Sequence, residues 1–344
     1  MRILILTRID DASPKVLAIS LKNMLERQGV KVDVSFRINI LKRMNNHNYL
    51  SSSLGLTYLR IKNKLKYFIK DLKFIRDLKA YDAVIISECT PNSFWFDYYA
   101  IEKLKVIISP KPVVLYEVYF LGNTPYQINK LLEQGNPTIE RYYWHLAVAE
   151  VTEIHTKPKP PWSCIGLDLK SMGLKPTIKK EFFAIVDFEQ PGYEKERRMQ
   201  IKALKFLKIP YISFSSRMPM EEIRDYYKRA SLIFVQFPEA FGLPVAECLS
   251  YGTAVFTKEI EWVMSWRILN TDIINKFTLP ECFYVYNNYE RLVKQLEQLR
   301  EEYHQKKTPI TVFNTFIANY PHFYEGDDLP LKDFLKIIKK NQFN

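Results

Sequence analysis

The sequence lacks the features that mark transmembrane, zinc-binding and disulfide-bonded proteins. No stretch approaches the roughly 18 uninterrupted apolar residues of a membrane-spanning helix. The cysteines form no CxxC pair, so neither a zinc site nor a disulfide framework is expected; they are Cys89, Cys164, Cys248 and Cys282. The chain opens with the strand-like segment 2–7 instead of the basic and apolar regions of a signal peptide, which predicts a cytoplasmic protein.

Glycine is scarce as well, with 10 residues in 344, and the chain contains neither an internal repeat nor a low-complexity tract. Apolar residues, by contrast, make up 47% of the sequence, which is ample for two hydrophobic cores. Because 344 residues exceed the usual size of one domain, two domains are expected.

Strand-length apolar runs alternate with helix-forming segments in both halves of the chain. In the first half, strands are predicted at 2–8, 31–38, 82–88, 112–120 and 149–155, and helices at 14–28, 57–78, 93–105 and 124–134. In the second half, strands are predicted at 182–188, 209–215, 231–237, 253–257 and 281–286, and helices at 194–207, 219–230, 243–251, 260–270 and 289–304. Such alternation predicts an α/β fold, with parallel sheets covered by helices on both faces.

Two such units indicate two Rossmann-like domains. The predicted division is an N-terminal domain at 1–165, a linker at 166–180, a C-terminal domain at 181–320 and a helical tail at 321–344. The segment 326–330 (GDDLP) is expected to split the end of the chain into two helical pieces.

Two carboxylates lie eight positions apart across a predicted strand-to-helix turn. Glu239 follows the apolar run 231–237, at the carboxyl end of a strand, where open α/β sheets bind ligands. Glu247 lies in the first turn of the following helix, whose side chains lean toward the helix N-terminus and the same crevice. Pro244 suits a first helical position, because its missing N–H would have had no partner.

The turn between these carboxylates is a candidate anion site. Unpaired N–H groups around Gly242 and Leu243 would favour a phosphate or a polarised hydroxyl. On single residues, a blander interpretation stays open: Glu247 could be a capping residue that complements the helix dipole, and Phe241 and Leu243 could be core residues.

As a whole, the segment resembles the donor-binding signature of glycosyltransferase family 4, a group of retaining enzymes with the GT-B fold. That signature has two glutamates separated by seven residues, Phe-Gly-Leu-Pro between them, and a strand like Gly-Thr-Pro-Val after them. The matching residues are Glu239, Phe241, Gly242, Leu243, Pro244, Glu247, Gly252, Thr253 and Val255. A second segment, 164–176, resembles the family's connection between domains through Gly166, Asp168 and Pro176.

The resemblance implies two Rossmann-like doubly wound domains facing a cleft, with a C-terminal helix crossing back to the first domain. It implies transfer of a sugar, with retention, from a nucleotide-diphosphate sugar bound by the C-terminal domain to a hydroxyl acceptor on the N-terminal side. Polysaccharide or glycoconjugate synthesis would be the setting, and neither a metal nor a cofactor would be required.

The resemblance also implies residue roles. Glu239 would be the catalytic-site carboxylate that accepts hydrogen bonds from sugar hydroxyls, and Glu247 would bind the ribose hydroxyls. Backbone N–H groups of Phe241, Gly242 and Leu243, ahead of Pro244, would hold sugar and phosphate. Lys195 lies close to the position of a family lysine and would offset charge on the leaving diphosphate.

The chain departs from the family pattern in three places. The first strand-to-helix turn, 7–14, has no glycine and two acids. Phe188 occupies the position of a family arginine, so the missing cation is expected from Arg197, Arg198 or Arg217. Where the family often has a histidine in the first domain, Glu88 and Glu117 are the candidate acceptor-side residues.

These departures leave two alternatives open. One is a non-catalytic sugar-nucleotide-binding or partner subunit. The other is a sugar-nucleotide epimerase, or a phosphorylase, with a GT-B-like fold, against which the double-glutamate segment and the lack of a pyridoxal-lysine signature both count.

Positive charge is the remaining distinctive feature, with a formal net charge of +12. Much of the excess lies in 42–79, where basic residues interleave with aromatic and aliphatic ones. A basic amphipathic helix at 57–79 suits an anionic membrane surface, and it also suits simple solvation. No nucleic-acid-binding signature is present, so the expected partners are a sugar-nucleotide donor and a glycan or lipid-linked acceptor, at the inner face of a membrane.

Overall fold

The computed structural model describes residues 1–7, 12–36, 73–88, 98–119, 142–149, 161–215, 218–239, 241–269 and 277–341. These residues form two compact units. The first unit holds the described residues up to Ile165 together with those from Asp327 onward, and the second holds Gly166–Gly326. The segment 166–180 therefore packs as part of the second unit.

The first unit is built on a six-stranded parallel sheet. Its strands are β1 (Arg2–Leu6), β2 (Lys31–Ser35), β3 (Ala83–Ser87), β4 (Val113–Tyr119), β5 (Trp144–Ala149) and β6 (Trp162–Cys164), in the order β2-β1-β3-β4-β5-β6. In the described ranges, the connections between these strands contain the helices α1 (Ala12–Arg27) and α2 (Tyr98–Ile108), and residues 73–78 are also helical. The central strands are buried because helices cover a parallel sheet on both faces, which is why they are continuous apolar runs.

The second unit repeats this plan with a five-stranded parallel sheet. Its strands are β7 (Ala184–Val186), β8 (Tyr211–Ser213), β9 (Leu232–Val235), β10 (Ala254–Lys258) and β13 (Phe283–Tyr286), in the order β13-β10-β9-β7-β8. A short antiparallel pair lies beside it, β11 (Ile268–Leu269) and β12 (Phe277–Thr278). Its helices are α3 (Glu194–Phe206), α4 (Met220–Arg229), α5 (Leu243–Ser250), α6 (Tyr289–Glu302) and α7 (Lys307–Asn319). The expected α/β fold with two Rossmann-like sheets is confirmed.

The last helix, α8 (Asp328–Asn341), belongs to the first unit. Asp328 forms an ion pair with Arg27 of α1 at 2.9 Å, and the ring of Phe334 lies 6.4 Å from that of Trp144 on β5. The backbone N–H of Asp327 donates to the carbonyl of Ile165 at 2.8 Å. The expected return of the C-terminal helix to the first domain is therefore confirmed, and the predicted tail divides between Gly326 and Asp327.

One predicted element was wrong in the described residues. The helix at 260–270 is replaced by a 3-10 turn at Met264–Trp266 and strand β11, because Trp266 is fully buried among aromatic rings instead of lining a helix face. Of the strand predicted at 149–155, only Ala149 is described; it is the last residue of β5, a strand that the sequence analysis did not predict at 144–148.

Several sequence-based expectations fall outside the described residues. They include the helix at 124–134, residues 93–97 of the helix at 93–105, residues 150–155 of the strand at 149–155, residues 57–72 of the basic segment, and Arg217. Among the helices of the described residues, none is long and apolar enough to cross a membrane.

Candidate functional site

The strand order of the second sheet reverses between β7 and β9. The chain runs from β7 outward to β8, and then returns to place β9 on the other side of β7. Doubly wound sheets bind ligands at such a switch point, outside the carboxyl ends of the strands. Asp187 directly follows β7, and Gln236 directly follows β9, so both lie at this position. Glu239 is three residues farther along.

Glu239 and Gly242 form a tight turn that leads from β9 into α5. Gly242 is the residue before the helix and has a φ of 66°, a left-handed conformation that favours glycine. Its carbonyl accepts hydrogen bonds from the N–H groups of Val245 and Ala246 at 2.8 and 3.2 Å. Pro244 lies within the first helical turn, as the sequence predicted.

The start of α5 presents free donors. Within the described part of the chain, the backbone N–H groups of Phe241, Gly242 and Leu243 donate no hydrogen bond. Such N–H groups at a helix N-terminus attract anions and polarised oxygens. The sequence-based expectation of a local anion site thus has the backbone arrangement that it needs.

A tryptophan anchors this turn from behind. The indole N–H of Trp266 donates to the carbonyl of Phe241 at 2.7 Å, and the two rings stack with centroids 5.9 Å apart. The hydroxyl of Tyr320 in turn donates to the carbonyl of Trp266. The side chain of Phe241 is therefore part of the core.

The acidic groups at the switch point are desolvated. Burial raises the pKa of Glu239 to about 8, and the nearby charge of Asp187 raises it further in the same direction. Burial also raises the pKa of Asp187 to about 6, although the N–H of Phe188 donates to its carboxylate at 2.8 Å. The carboxyl group of Glu239 is desolvated. The residue as a whole is only half-buried, so part of its surface stays accessible. Burial therefore favours the protonated form of Glu239 in the protein without a ligand.

Glu247 lies on α5 and is paired with an arginine that the sequence did not reveal. Arg224 on α4 donates from Nε to Oε1 of Glu247 at 2.9 Å, and its second terminal nitrogen donates to the same oxygen. Only 3% of Glu247 is exposed. Burial raises the pKa of Glu247, and the hydrogen bond and charge of Arg224 oppose that shift.

The candidate cations differ in their surroundings. Lys195 is exposed in the first turn of α3, and Arg198 is exposed on the same helix. Arg197 instead reaches the switch point, where Nε donates to the carbonyl of Asp187 at 3.2 Å and a terminal nitrogen donates to the carbonyl of Phe214 at 3.0 Å. Its guanidinium thus joins the ends of β7 and β8.

The acceptor-side candidates lie in the first unit and are fully buried. Glu88 directly follows β3, and its N–H donates to the carbonyl of Tyr116 at 2.9 Å. Glu117 lies inside β4 and not at its end, and its Oε1 is 3.1 Å from Nδ1 of His145 on β5. His145 was missed because the sequence-based strand began after it. Within the described ranges, no cluster of His, Cys, Asp and Glu could hold a metal ion.

No protein-family model and no curated protein sequence matches the chain. Solved structures are similar in fold. Anabaena Alr3699/HepE, in complex with UDP and glucose, is 13% identical with a TM-score of 0.51, over 99% of this chain and 100% of that one. Sucrose-phosphate synthase (tll1590) from Thermosynechococcus elongatus is 12% identical with a TM-score of 0.53, over 99% and 100%. The chain therefore has the GT-B fold.

Proposed function

We propose that this protein is a retaining glycosyltransferase of the family 4 type, which transfers a sugar from a nucleotide-diphosphate sugar to a hydroxyl acceptor. One observation carries the proposal. The turn from Glu239 to Gly242, with Glu247 on the helix that follows, lies at the switch point of the second sheet of a GT-B fold. HepE, one of the similar structures, binds UDP and glucose.

In this proposal, the start of α5 holds the donor. The free N–H groups of Gly242 and Leu243 donate to the sugar and to the phosphate oxygens, where the helix dipole also favours negative charge. Charge that develops on the leaving diphosphate is offset by these N–H groups and by the exposed side chain of Lys195. Neither a metal nor a cofactor enters the proposed reaction, and transfer is expected to continue in EDTA.

Glu239 binds the donor sugar in the proposed complex. Its carboxyl group is desolvated, but the residue is partly accessible, so hydroxyl groups of a sugar can reach it. In its charged form, the carboxylate accepts hydrogen bonds from these hydroxyls, and such charge-assisted bonds are the stronger kind. Glu247 accepts hydrogen bonds from the ribose through the oxygen that Arg224 does not occupy.

The test is a panel of radiolabelled nucleotide sugars with water and simple glycosides as acceptors. A hydrogen bond to a charged group contributes about 1.5–3 kcal/mol, so Glu239→Gln should lower transfer by about ten- to a hundredfold. Glu221→Gln, an exposed carboxylate on α4, is the matched control and should keep wild-type turnover. NMR of the product anomer checks retention. Wild-type turnover in a folded Glu239→Gln protein would contradict the assignment.

A specific feature favours a second candidate, a non-catalytic sugar-nucleotide-binding subunit. Phe188 stands where the family has an arginine, and the guanidinium of Arg197 donates to carbonyl oxygens of the protein. The same panel separates the candidates. Binding of a nucleotide sugar without transfer or hydrolysis would support the subunit, and formation of an epimerised sugar nucleotide would support the epimerase alternative.

For the acceptor, we propose a glycan or a lipid-linked glycan at an anionic membrane surface. The proposal is based on the basic and aromatic composition of 57–79. Sedimentation with anionic liposomes tests it, using a variant with Lys62, Lys64, Lys66 and Lys70 changed to Glu. Binding should fall as salt rises and should be lost in the variant. No binding of the wild type at low salt would indicate that this segment is only solvated and that the acceptor is soluble.

A further inference from the structure

We infer that Arg224 is a positioning residue that makes Glu247 selective for the ribose diol of the donor nucleotide. The inference rests on the proposed function, because it concerns the same donor site. It adds a residue on a different helix, to which neither the sequence motif nor the family resemblance assigns a role.

The first argument is the geometry of the pair. Two nitrogens of Arg224 donate to one oxygen of Glu247, Oε1. Within the described residues, the other oxygen, Oε2, accepts no hydrogen bond. The rigid fork of a guanidinium fixes both the position and the plane of the carboxylate. One oxygen is therefore saturated, and the other is held in a fixed direction.

The second argument is charge. Glu247 is almost fully buried, and burial alone favours the protonated form of a carboxylic acid. Arg224 cannot lose its proton in a protein, so its charge favours the ionised form of its partner. An ionised carboxylate only accepts hydrogen bonds, and the two hydroxyls of a ribose are donors that match it.

The third argument is that the end of α4, about one turn after Arg224, is held in place. The side-chain nitrogen of Lys179 donates to the carbonyl of Lys228 at 2.8 Å and to the hydroxyl of Thr253 at 3.1 Å. That hydroxyl donates to the carbonyl of Tyr227 at 2.9 Å. Because Thr253 directly precedes β10, just after α5, the end of α4 is tied to the segment that follows Glu247.

The experiment compares nucleoside diphosphates with their 2′,3′-dideoxy forms by titration calorimetry. Wild type should bind at least one nucleoside diphosphate and prefer it over the dideoxy form by about tenfold or more. Arg224→Met should reduce this preference to within about twofold, while the affinity for the dideoxy form stays near that of wild type. If Arg224 had a merely structural role, Arg224→Met would weaken the binding of both ligands equally.

Arg229→Met is the matched control, because Arg229 lies on the same helix and forms an exposed ion pair with Asp225 at 3.2 Å. It should keep the full preference. If Arg224→Met does not fold, Arg224→Lys carries the test, since an ammonium keeps the charge but lacks the fork. The preference of Arg224→Lys for the nucleoside diphosphate over the dideoxy form should fall at least threefold, because the ammonium cannot fix the plane of the carboxylate.

The outcomes separate the two proposals. An unchanged preference in a folded Arg224→Met or Arg224→Lys protein overturns the role of Arg224 and leaves the proposed function standing. Failure of the wild type to bind any nucleoside diphosphate overturns both.

Discussion

The backbone of Gly242 lies against the side chain of Glu239. A Cβ added at Gly242 would be 2.8 Å from both Cβ and Cγ of Glu239, closer than real Cβ atoms approach. Gly242 also has a positive φ. The residue therefore meets two separate requirements for glycine, and one of them concerns the proposed catalytic carboxylate directly.

Gly242→Ala is expected to damage both stability and transfer. A left-handed backbone costs a non-glycine residue about 1–2 kcal/mol, and the new methyl group must also displace Glu239. Transfer should fall by about tenfold or more, because misplacing a group by about 1 Å can cost a hundredfold. Steady-state transfer and chemical unfolding are the measurements.

Gly173→Ala separates the two effects. Gly173 has a φ of 80° with no atom within 4 Å of an added Cβ, so the alanine meets the backbone strain alone. This control should lose stability and keep activity. Equal activities of the two variants would show that the contact with Glu239 does not matter.

The pH dependence of activity should report the titration of Glu239. The kcat/KM of an enzyme reflects the pKa values of the free protein, and burial raises the pKa of Glu239 to about 8. If the carboxylate is the active form, kcat/KM should rise with pH and level off above about 8. Glu239→Gln should lack this rise, and a wild-type profile that is flat from pH 6 to 9 would contradict the assignment.

The titration of Glu239 should also make the stability of the protein fall as pH rises, whereas kcat/KM rises. Its pKa is about 8 in the folded protein and 4.5 ordinarily, so between these values the folded state holds a proton that the unfolded state has lost. The unfolding free energy then falls as pH rises, by up to about 1.4 kcal/mol per unit. Relative to wild type, Glu239→Gln should gain stability from pH 5 to 8, measured by urea unfolding.

The titration of Lys179 should make the stability of the protein rise with pH, opposite to the effect of Glu239. Burial lowers the pKa of Lys179 to about 7 from 10.5, so between these values the unfolded state binds the proton and the folded state does not. Relative to Lys179→Met, the wild-type protein should gain stability as pH rises from 7 to 10. Lys180→Met, at an exposed neighbour, should not alter the pH dependence. Parallel curves for wild type and Lys179→Met would refute the prediction.

Trp266→Phe should loosen the turn without emptying the core. It keeps an aromatic ring but leaves the carbonyl of Phe241 without its donor, a loss of about 1–3 kcal/mol for a buried group. Hydrogen exchange of the Val245 and Ala246 amides, which donate to the carbonyl of Gly242, should accelerate. Trp262→Phe is the control, because its indole N–H donates to Thr257 at 3.3 Å and not to the turn. Equal exchange in both variants would exclude an anchoring role for Trp266.

The sequence predicted the sheets well because their strands are buried on both faces. Runs such as 83–86 and 232–235 are apolar throughout, and that pattern depends only on local sequence. The same holds for the turn at Gly242, where the required conformation restricts the residue to glycine. Local chemistry thus determined both the fold class and the position of Glu239 after β9.

What the sequence could not reveal depends on contacts between distant residues. Trp262 and Trp266 are four residues apart, as on one face of a helix, yet Trp266 packs against Phe283 and Phe316 from later elements. Arg224 meets Glu247 only because β9 brings α4 and α5 together, 23 positions apart in the chain. Neither relationship leaves a periodic signal.

The return of α8 to the first unit determines the order in which the two units can be completed during synthesis. In the part of the chain that the structure describes, the second unit is one stretch, Gly166–Gly326, and it can fold once that stretch has left the ribosome. The first unit begins earlier but must wait for α8, whose Leu331, Phe334 and Ile338 are fully buried. The unit that is translated first is therefore the last to be finished. A nonsense codon near the end of the gene would leave the first unit incomplete and keep every residue of the second.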